Sequence, residues 1–257
     1  MQFTSLDAKM RAYETAFDQK VLPEVYIIAR LDGRGFTRLT KELLDLEKPF
    51  DVRFRDAMVD TVRHLMNCGF KVVYGFTQSD EISLLFHLEE RLFERKVPKI
   101  LSVLAGEASA RFSLSMGHVA AFDCRLSTLP NANLVVDYFR WRSEDAHRNS
   151  LSAYCYWKLR EQGETASAAT QRLSGASVAG KNEMLFQWGI NYNDLPKWQK
   201  RGIGFYYEIV EKQAANPLTN GEMIVNRRTL KTDWDLPIDE EYSNFVAQII
   251  NSEHRHP

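Results

Sequence analysis

Apolar positions fall into two alternating periods through the first half of the chain. After Ser5, a capping type, Leu6, Met10, Tyr13 and Phe17 recur at helical spacing and predict a helix over residues 5–20. Val25 to Leu31 is short and rich in aliphatic and β-branched residues, the pattern of a buried strand, and Gly33 and Gly35 break it. The stretch to Pro49-Phe50-Asp51 reads as irregular. Asp51 then caps a helix whose apolar face is Phe54, Met58, Val62 and Leu65 or Met66, and Asn67-Cys68-Gly69 ends it. Two strands follow, Lys71 to Phe76 and Glu81 to His87, joined through Thr77-Gln78-Ser79-Asp80. Pro98 opens a second amphipathic helix carrying Ile100, Leu101, Leu104, Ala108 and Phe112, and a further strand is predicted from His118 to Cys124.

The order β-α-β-β-α-β is that of the ferredoxin-like, or split βαβ, arrangement, so the fold class is α+β. In such a sheet the third strand lies between the first and second. The end of the first strand and the hairpin that opens the third therefore share one edge, and Asp32 and Asp80 become neighbours. From about Asn133 the pattern turns helical: Leu134 to Trp141, Asp145 to Arg160, Ala166 to Leu173 and Lys181 to Gln187. Ile203 to Val210 and Met223 to Thr229 read as a terminal strand pair, with Pro217, Asn220 and Gly221 in the connection. The expected division is a palm-like catalytic domain over residues 1–132 and a helical region with a β-hairpin, packed on the palm, over residues 133–257.

Composition narrows the classes. At 44% hydrophobic and 26% charged the chain is globular, not disordered. Lys+Arg 33 against Asp+Glu 34 gives a net charge of -1, so a polyanion must be met by local basic patches. Three cysteines, Cys68, Cys124 and Cys155, with no CxxC pair, argue against a disulfide framework and a zinc site. The first residues carry no apolar leader core, and no stretch approaches the roughly 18 apolar residues of a membrane span. A soluble cytoplasmic protein with no membrane partner is expected.

Two aspartates at one sheet edge suit hard divalent cations. Mg²⁺ needs one or two carboxylates plus water and substrate phosphates, and two such ions about 4 Å apart stabilise both oxygens of a phosphoryl displacement. Gly33 lets the backbone approach closely, so its carbonyl can complete the coordination. The alternative is an ordinary solvated turn aspartate in each motif. Glu81 fits a third ligand, a partner that orients a lysine, or a strand-edge charge. Ser79 fits a phosphate donor or a turn residue. Lys48 offers a point charge to phosphate or is a surface lysine. His147, Arg148 and Asn149 stand on a helix near Arg140 and Arg142, a basic cluster suited to phosphate, or, as is usual for a lone helix histidine, a structural or solvated position. Lys181 and Asn182 equally fit an ordinary helix start. Lys197, Trp198, Lys200 and Arg201, with Arg227, Arg228 and Lys231, mix cations and an aromatic ring in the manner of RNA-binding surfaces, or are solvated charges. His254-Arg255-His256 is too short to be a metal site, and Cys124 and Cys155 sit in apolar contexts as inert thiols.

Five blocks in order, Arg30-Leu31-Asp32-Gly33-Arg34-Gly35-Phe36, Glu47-Lys48-Pro49-Phe50-Asp51, Tyr74-Gly75-Phe76-Thr77-Gln78-Ser79-Asp80-Glu81, His147-Arg148-Asn149-Ser150-Leu151 and Gly180-Lys181-Asn182-Glu183, closely resemble the tRNA-histidine guanylyltransferase superfamily. The resemblance implies a polymerase-type palm that adds nucleotides to the 5′ end of tRNA in the 3′-to-5′ direction. It implies Mg²⁺, two ions, at Asp32, Gly33 and Asp80, and catalytic roles for Asp32, Asp80, Glu81, Lys48 and His147. Nucleotide contacts are implied at Asp32, Gly33, Arg34, Gly35, Phe36, Thr37, Lys48, Ser79, Asp80, His147, Asn149, Lys181 and Asn182. ATP activates the 5′-monophosphate, GTP or another nucleoside triphosphate is added, and family members are dimers of dimers, which implies a homotetramer.

The eukaryotic enzymes carry His-Ile-Asn-Asn-Leu-Tyr-Asn where this chain reads His147-Arg148-Asn149-Ser150-Leu151-Ser152-Ala153. That departure is similar to the bacterial and archaeal-type relatives, which repair 5′-truncated tRNA on the opposing strand as template. Histidine-tRNA-specific guanosine addition, a nucleotidyl cyclase on a similar palm, and a non-catalytic ferredoxin-like RNA-binding module are the alternatives.

Overall fold

The computed structural model describes residues 3–215 and 222–253. Pro217, Asn220 and Gly221, and the terminal His254-Arg255-His256, lie outside the described residues. The strands are β1 (Tyr26–Arg34), β2 (Val72–Gln78), β3 (Glu81–Phe86), β4 (Ala121–Leu129), β5 (Ile203–Ala215) and β6 (Glu222–Asp233). They form one six-stranded sheet in the order β4-β1-β3-β2-β5-β6. The helices are α1 (Phe3–Glu14), a one-turn α2 (Phe36–Arg38), α3 (Val52–Leu65), α4 (Val97–Met116), α5 (Ala132–Glu161), α6 (Ala166–Leu173), α7 (Val178–Gln187), a short α8 (Lys197–Arg201) and α9 (Asp239–Glu253). A π-type turn over Leu39–Leu43 follows α2.

The predicted β-α-β-β-α-β order is present: β3 pairs antiparallel with both β1 and β2. Helices cover both faces. Ile27, Ala29 and Leu31 of β1 meet Met58, Val62 and Leu65 of α3 and Leu104, Ala108 and Phe112 of α4 in one core. On the other face, Ile28, Tyr74, Phe76 and Leu85 meet Val135 and Phe139 of α5 and Tyr242, Val246 and Ile249 of α9. This is the period-two alternation of a strand buried on both sides. Asp51 caps α3 as expected, its carboxylate accepting from the backbone N–H of Arg53 at 2.7 Å.

Several boundaries differ from expectation. The strand expected at His118–Cys124 runs over Ala121–Leu129, because Gly117, at φ 65°, ends α4 in a left-handed turn and leaves Val119 exposed. The two helices expected across Leu134–Arg160 are one helix of 30 residues, since Arg142, Ser143 and Ala146 continue its buried stripe. The terminal strand pair joins the main sheet through β5, which pairs with β2 over Tyr74–Thr77. Helix α1 stops at Glu14 and has no buried residue, so its apolar stripe faces solvent. Among the described residues no helix is long and apolar enough to cross a membrane.

Candidate active site

The site forms where β1 ends beside the β2–β3 hairpin. Asp32 stands directly opposite Glu81 in the β1–β3 ladder, and the backbone N–H of Gly33 donates to the carbonyl of Asp80 at 3.1 Å. Only Ser79 and Asp80 connect β2 to β3, and Ser79 takes φ 54° to close that turn. The Ser79 hydroxyl donates to the Asp80 carboxylate at 3.1 Å. Asp32 and Asp80 thus meet, as the topology requires, and both line one cavity of about 400 Å³. Burial, reinforced by the negative charge of Asp32, pushes the Asp80 carboxyl above its ordinary value, while backbone and Ser79 hydrogen bonds oppose the shift. Gly33 is required sterically: a Cβ there would fall 2.4 Å from the Phe36 ring. That ring is wedged between Phe112 and Phe122 at centroid distances of 5.1 and 4.9 Å.

Glu81 has arginine partners. Arg142 of α5 donates to its two oxygens at 2.9 and 3.1 Å, and Arg30 lies at 3.4 Å. Burial pushes the Glu81 carboxyl up, and the two guanidinium groups oppose it. The basic cluster expected on α5 is therefore largely neutralised. Arg142 and Arg148 share Asp145, Arg140 pairs with Glu144, and Asn149 donates to Asp145 at 3.2 Å. Among the described residues neither Asp32 nor Asp80 has a cation within ion-pair distance.

The opposite wall comes from the segment before α3 and from α5 and α8. Thr37, Lys41, Lys48, Phe50, Arg55, Asn149, Trp157 and Trp198 line the cavity. The Lys48 ammonium donates to the Thr40 carbonyl and lies 5.4 Å from the Trp157 ring centre. Burial lowers its pKa against the pull of Asp51 and Asp45. Phe50 meets Trp198 edge-on at 5.9 Å, and the Arg55 guanidinium sits 4.9 Å over the same indole.

Other candidates do not line the cavity, although Gly33 is bonded to its edge at Asp80. Gly33, Arg34, Gly35, His147, Lys181 and Asn182 are outside the cavity lining. His147 packs edge-on to Tyr192 at 5.2 Å, and burial, with the charges of Lys200 and Arg201, lowers its pKa. Lys181 donates to Ser152 at 3.0 Å, and Asn182 to the Val178 carbonyl within its own helix. Of the basic surface group, Lys197 pairs with Asp235 and Arg201 donates to the Leu236 carbonyl. Lys200 is 5% exposed, its ammonium bonded to the carbonyls of Tyr192 and Asn193, which withdraws its charge from any surface an RNA would meet. Burial raises the Cys124 thiol to about 12 and the Cys155 thiol to about 11, which keeps both protonated near neutrality.

The donor set fits Mg²⁺. Two half-buried carboxylates without cationic partners, plus a backbone carbonyl at Gly33, are hard oxygen ligands that leave room for phosphate oxygens. Among the described residues no group of three or more His, Cys, Asp or Glu forms a metal cage.

Sequence reasoning missed Arg55, Trp157 and Asp145 as site residues, and read Arg142 as a phosphate cation. An aromatic residue beside a lysine gives no local signal; only the packing of α5 across the hairpin brings them together.

The tRNAHis guanylyltransferase family model matches residues 7–130, and the Thg1 C terminal domain model matches residues 133–244. The chain is 35% identical to a tRNA(His) guanylyltransferase of Neurospora crassa over 217 residues, covering 77% of this chain and 73% of the relative. It is 34% identical to a probable tRNA(His) guanylyltransferase of Drosophila melanogaster over 195 residues, covering 72% and 68%. A bacterial Thg1-like protein solved in complex with GTP superposes with a TM-score of 0.74 at 30% identity, covering 96% of this chain and 99% of that one. The same kind of protein in complex with ATP gives 0.73, covering 95% and 99% at 30% identity. With both halves of the chain matched in order, it belongs to the tRNA(His) guanylyltransferase, or Thg1, family of nucleotidyltransferases.

Proposed function

We propose that the protein is a Mg²⁺-dependent nucleotidyltransferase that adds nucleotides in the 3′-to-5′ direction to truncated tRNA 5′ ends, using the opposing strand as template. The observation that carries this is that Asp32 and Asp80 line one cavity beside the Gly33–Asp80 backbone hydrogen bond, both free of cationic partners among the described residues. In the activating step the 5′-monophosphate attacks the α-phosphorus of ATP and pyrophosphate leaves. In the adding step the 3′-hydroxyl of the incoming triphosphate attacks the activated 5′ phosphorus and AMP leaves. Divalent cations, when bound, neutralise charge on the attacking and leaving oxygens. Asp32, Asp80 and the Gly33 carbonyl would hold them. Lys48 and Lys41 present positive charge to the polyphosphate from the opposite wall, while Phe50, Trp157 and Trp198 offer faces to a base.

The bacterial relatives' complexes with GTP and ATP support use of both nucleotides here. Template reading is favoured because the block at His147 lacks two of the asparagines of the eukaryotic enzymes, so pairing, not a protein pocket, selects the base. The proposal includes His147, Asn149, Lys181 and Asn182 as nucleotide-handling positions approached by a substrate that extends beyond the cavity. It places the protein in the cytoplasm, as a homotetramer. The exposed apolar stripe of α1, with Leu6 and Tyr13 uncovered, supports self-association.

The test is incorporation of each of the four nucleotides opposite each template base on a 5′-truncated acceptor stem. Selection by complementarity is expected. Guanosine regardless of template would indicate histidine-tRNA-specific addition, a product from GTP without RNA a cyclase, and tight tRNA binding without incorporation an RNA-binding module.

A further inference from the structure

Arg142 lines the cavity, yet both terminal nitrogens of its guanidinium are already taken by carboxylates of the protein. Its side chain is 4% exposed in the cavity wall formed by α5. One terminal nitrogen donates to both Glu81 oxygens at 2.9 and 3.1 Å, and the other donates to Asp145 at 2.7 Å. The guanidinium lies 3.9 Å over the Trp141 ring, and its Nε is buried with no hydrogen-bond partner. Stability alone does not demand such an arrangement, since apolar residues of matching volume pack as well as a buried ion pair. What a fork with two carboxylates does is fix geometry.

The two ends of that fork lead to different parts of the site. Glu81 follows Asp80 in the chain and faces Asp32 across the ladder. Asp145 receives the side-chain amide of Asn149, which lines the cavity. The fork also sorts charge: among the described residues, of the three carboxylates at the strand ends Glu81 alone has arginines, and Asp32 and Asp80 are left for cations.

We propose that Arg142 is a positioning residue that acts through Glu81 and Asp145, holding Glu81 out of the metal position and locking the Asp32–Asp80 edge to the cavity wall on α5. The inference rests on the reading of that edge as a metal-dependent transfer site. Without Arg142, Glu81 is left with the longer contact to Arg30 at 3.4 Å, one residue from Asp80, and it turns toward whatever cation the aspartates hold. Binding of the cation then tightens while turnover slows, a combination that simple destabilisation does not produce.

The experiment compares wild type, Arg142→Met, Arg142→Lys, Glu81→Gln and the double variant Arg142→Met with Glu81→Gln. Binding of Mn²⁺ alone is followed by the EPR signal of the free ion, and kcat and KM for the added nucleotide are measured on truncated tRNA. For Arg142→Met the expectation is Mn²⁺ affinity about threefold or more tighter. Its kcat falls about 10- to 100-fold with KM within about threefold of wild type. The double variant returns Mn²⁺ affinity to the wild-type value, because the stray charge is gone. Wild-type kcat, or Mn²⁺ affinity unchanged or weaker, in a folded Arg142→Met protein overturns the proposal. If Arg142→Met does not fold, Arg142→Lys carries the test: it keeps the charge but reaches only one carboxylate, so kcat falls at near-constant KM, and wild-type kcat overturns it. If wild type itself adds no nucleotide, the functional reading fails, while the Mn²⁺ comparison still decides the role of Arg142.

Discussion

Gly33 donates its backbone N–H to the carbonyl of Asp80 at 3.1 Å, and this bond fixes the end of the first strand against the hairpin that opens the third. It exists because β3 lies between β1 and β2, which carries the two motifs to one edge. A side chain at position 33 is excluded by Phe36, whose ring would be met at 2.4 Å and is itself held by Phe112 and Phe122. Gly33→Ala is expected to cost about 1–3 kcal/mol, the usual range for overpacking a core, and to lower activity further by shifting Asp32. Urea denaturation checks it; an unchanged midpoint would mean that the ring moves aside freely.

Asp80 is half-buried beside Asp32, and its raised pKa means the folded state binds a proton at this carboxyl more tightly than the unfolded chain does. The destabilisation is full above the folded pKa and is relieved as pH falls through it toward the ordinary value. In EDTA at neutral pH, Asp80→Asn is therefore expected to be as stable as wild type or more so, by on the order of 0.5 kcal/mol after solvent screening. Mg²⁺ reverses the order. At ten times its dissociation constant it stabilises wild type by about 1.4 kcal/mol, with little effect on the variant. Thermal unfolding with and without Mg²⁺ reads both; equal stabilisation of the two proteins would remove Asp80 from the ligand set.

His147 is held below its ordinary pKa, first by burial and then by Lys200 and Arg201, against the pull of Asp239. The unfolded chain therefore binds this proton more tightly. Stability from the neutral ring is complete above the unfolded value of 6.5 and is lost as pH falls from there toward the folded value. Between pH 7 and pH 5, His147→Gln is expected to show a shallower fall in unfolding free energy than wild type. Parallel pH profiles would show that His147 titrates alike in both states.

The palm was legible because its signals are local. Asp51 capping an amphipathic helix, Pro98 opening another and the apolar runs at Val25–Leu31 and Val72–Phe76 each specify their element, and strand order then joins Asp32 to Asp80. Where packing decided, the sequence was read less well. Among the described residues edge strand β4 pairs with β1 alone, and it carries Arg125, Ser127 and Thr128, so it has no continuous apolar run. Helix α5 appeared to break at Arg142-Ser143-Glu144 because its buried stripe passes through an arginine whose partner, Glu81, lies far away in sequence. Helix α9 was overlooked although Tyr242, Val246, Ile249 and Ile250 recur at helical spacing. In the site, the aspartates stood out in their motifs, whereas Trp157, Arg55 and Asp145 acquire meaning only once α5 crosses the hairpin.

The most direct measurement is incorporation of a labelled nucleotide at the 5′ end of a truncated tRNA by Asp32→Asn and Asp80→Asn proteins shown to be folded by circular dichroism. Loss of at least about 10³-fold in each is expected, since Glu81, the carboxylate beside both, is held by Arg142 and Arg30. Incorporation near the wild-type rate by either variant would contradict the paired-carboxylate account.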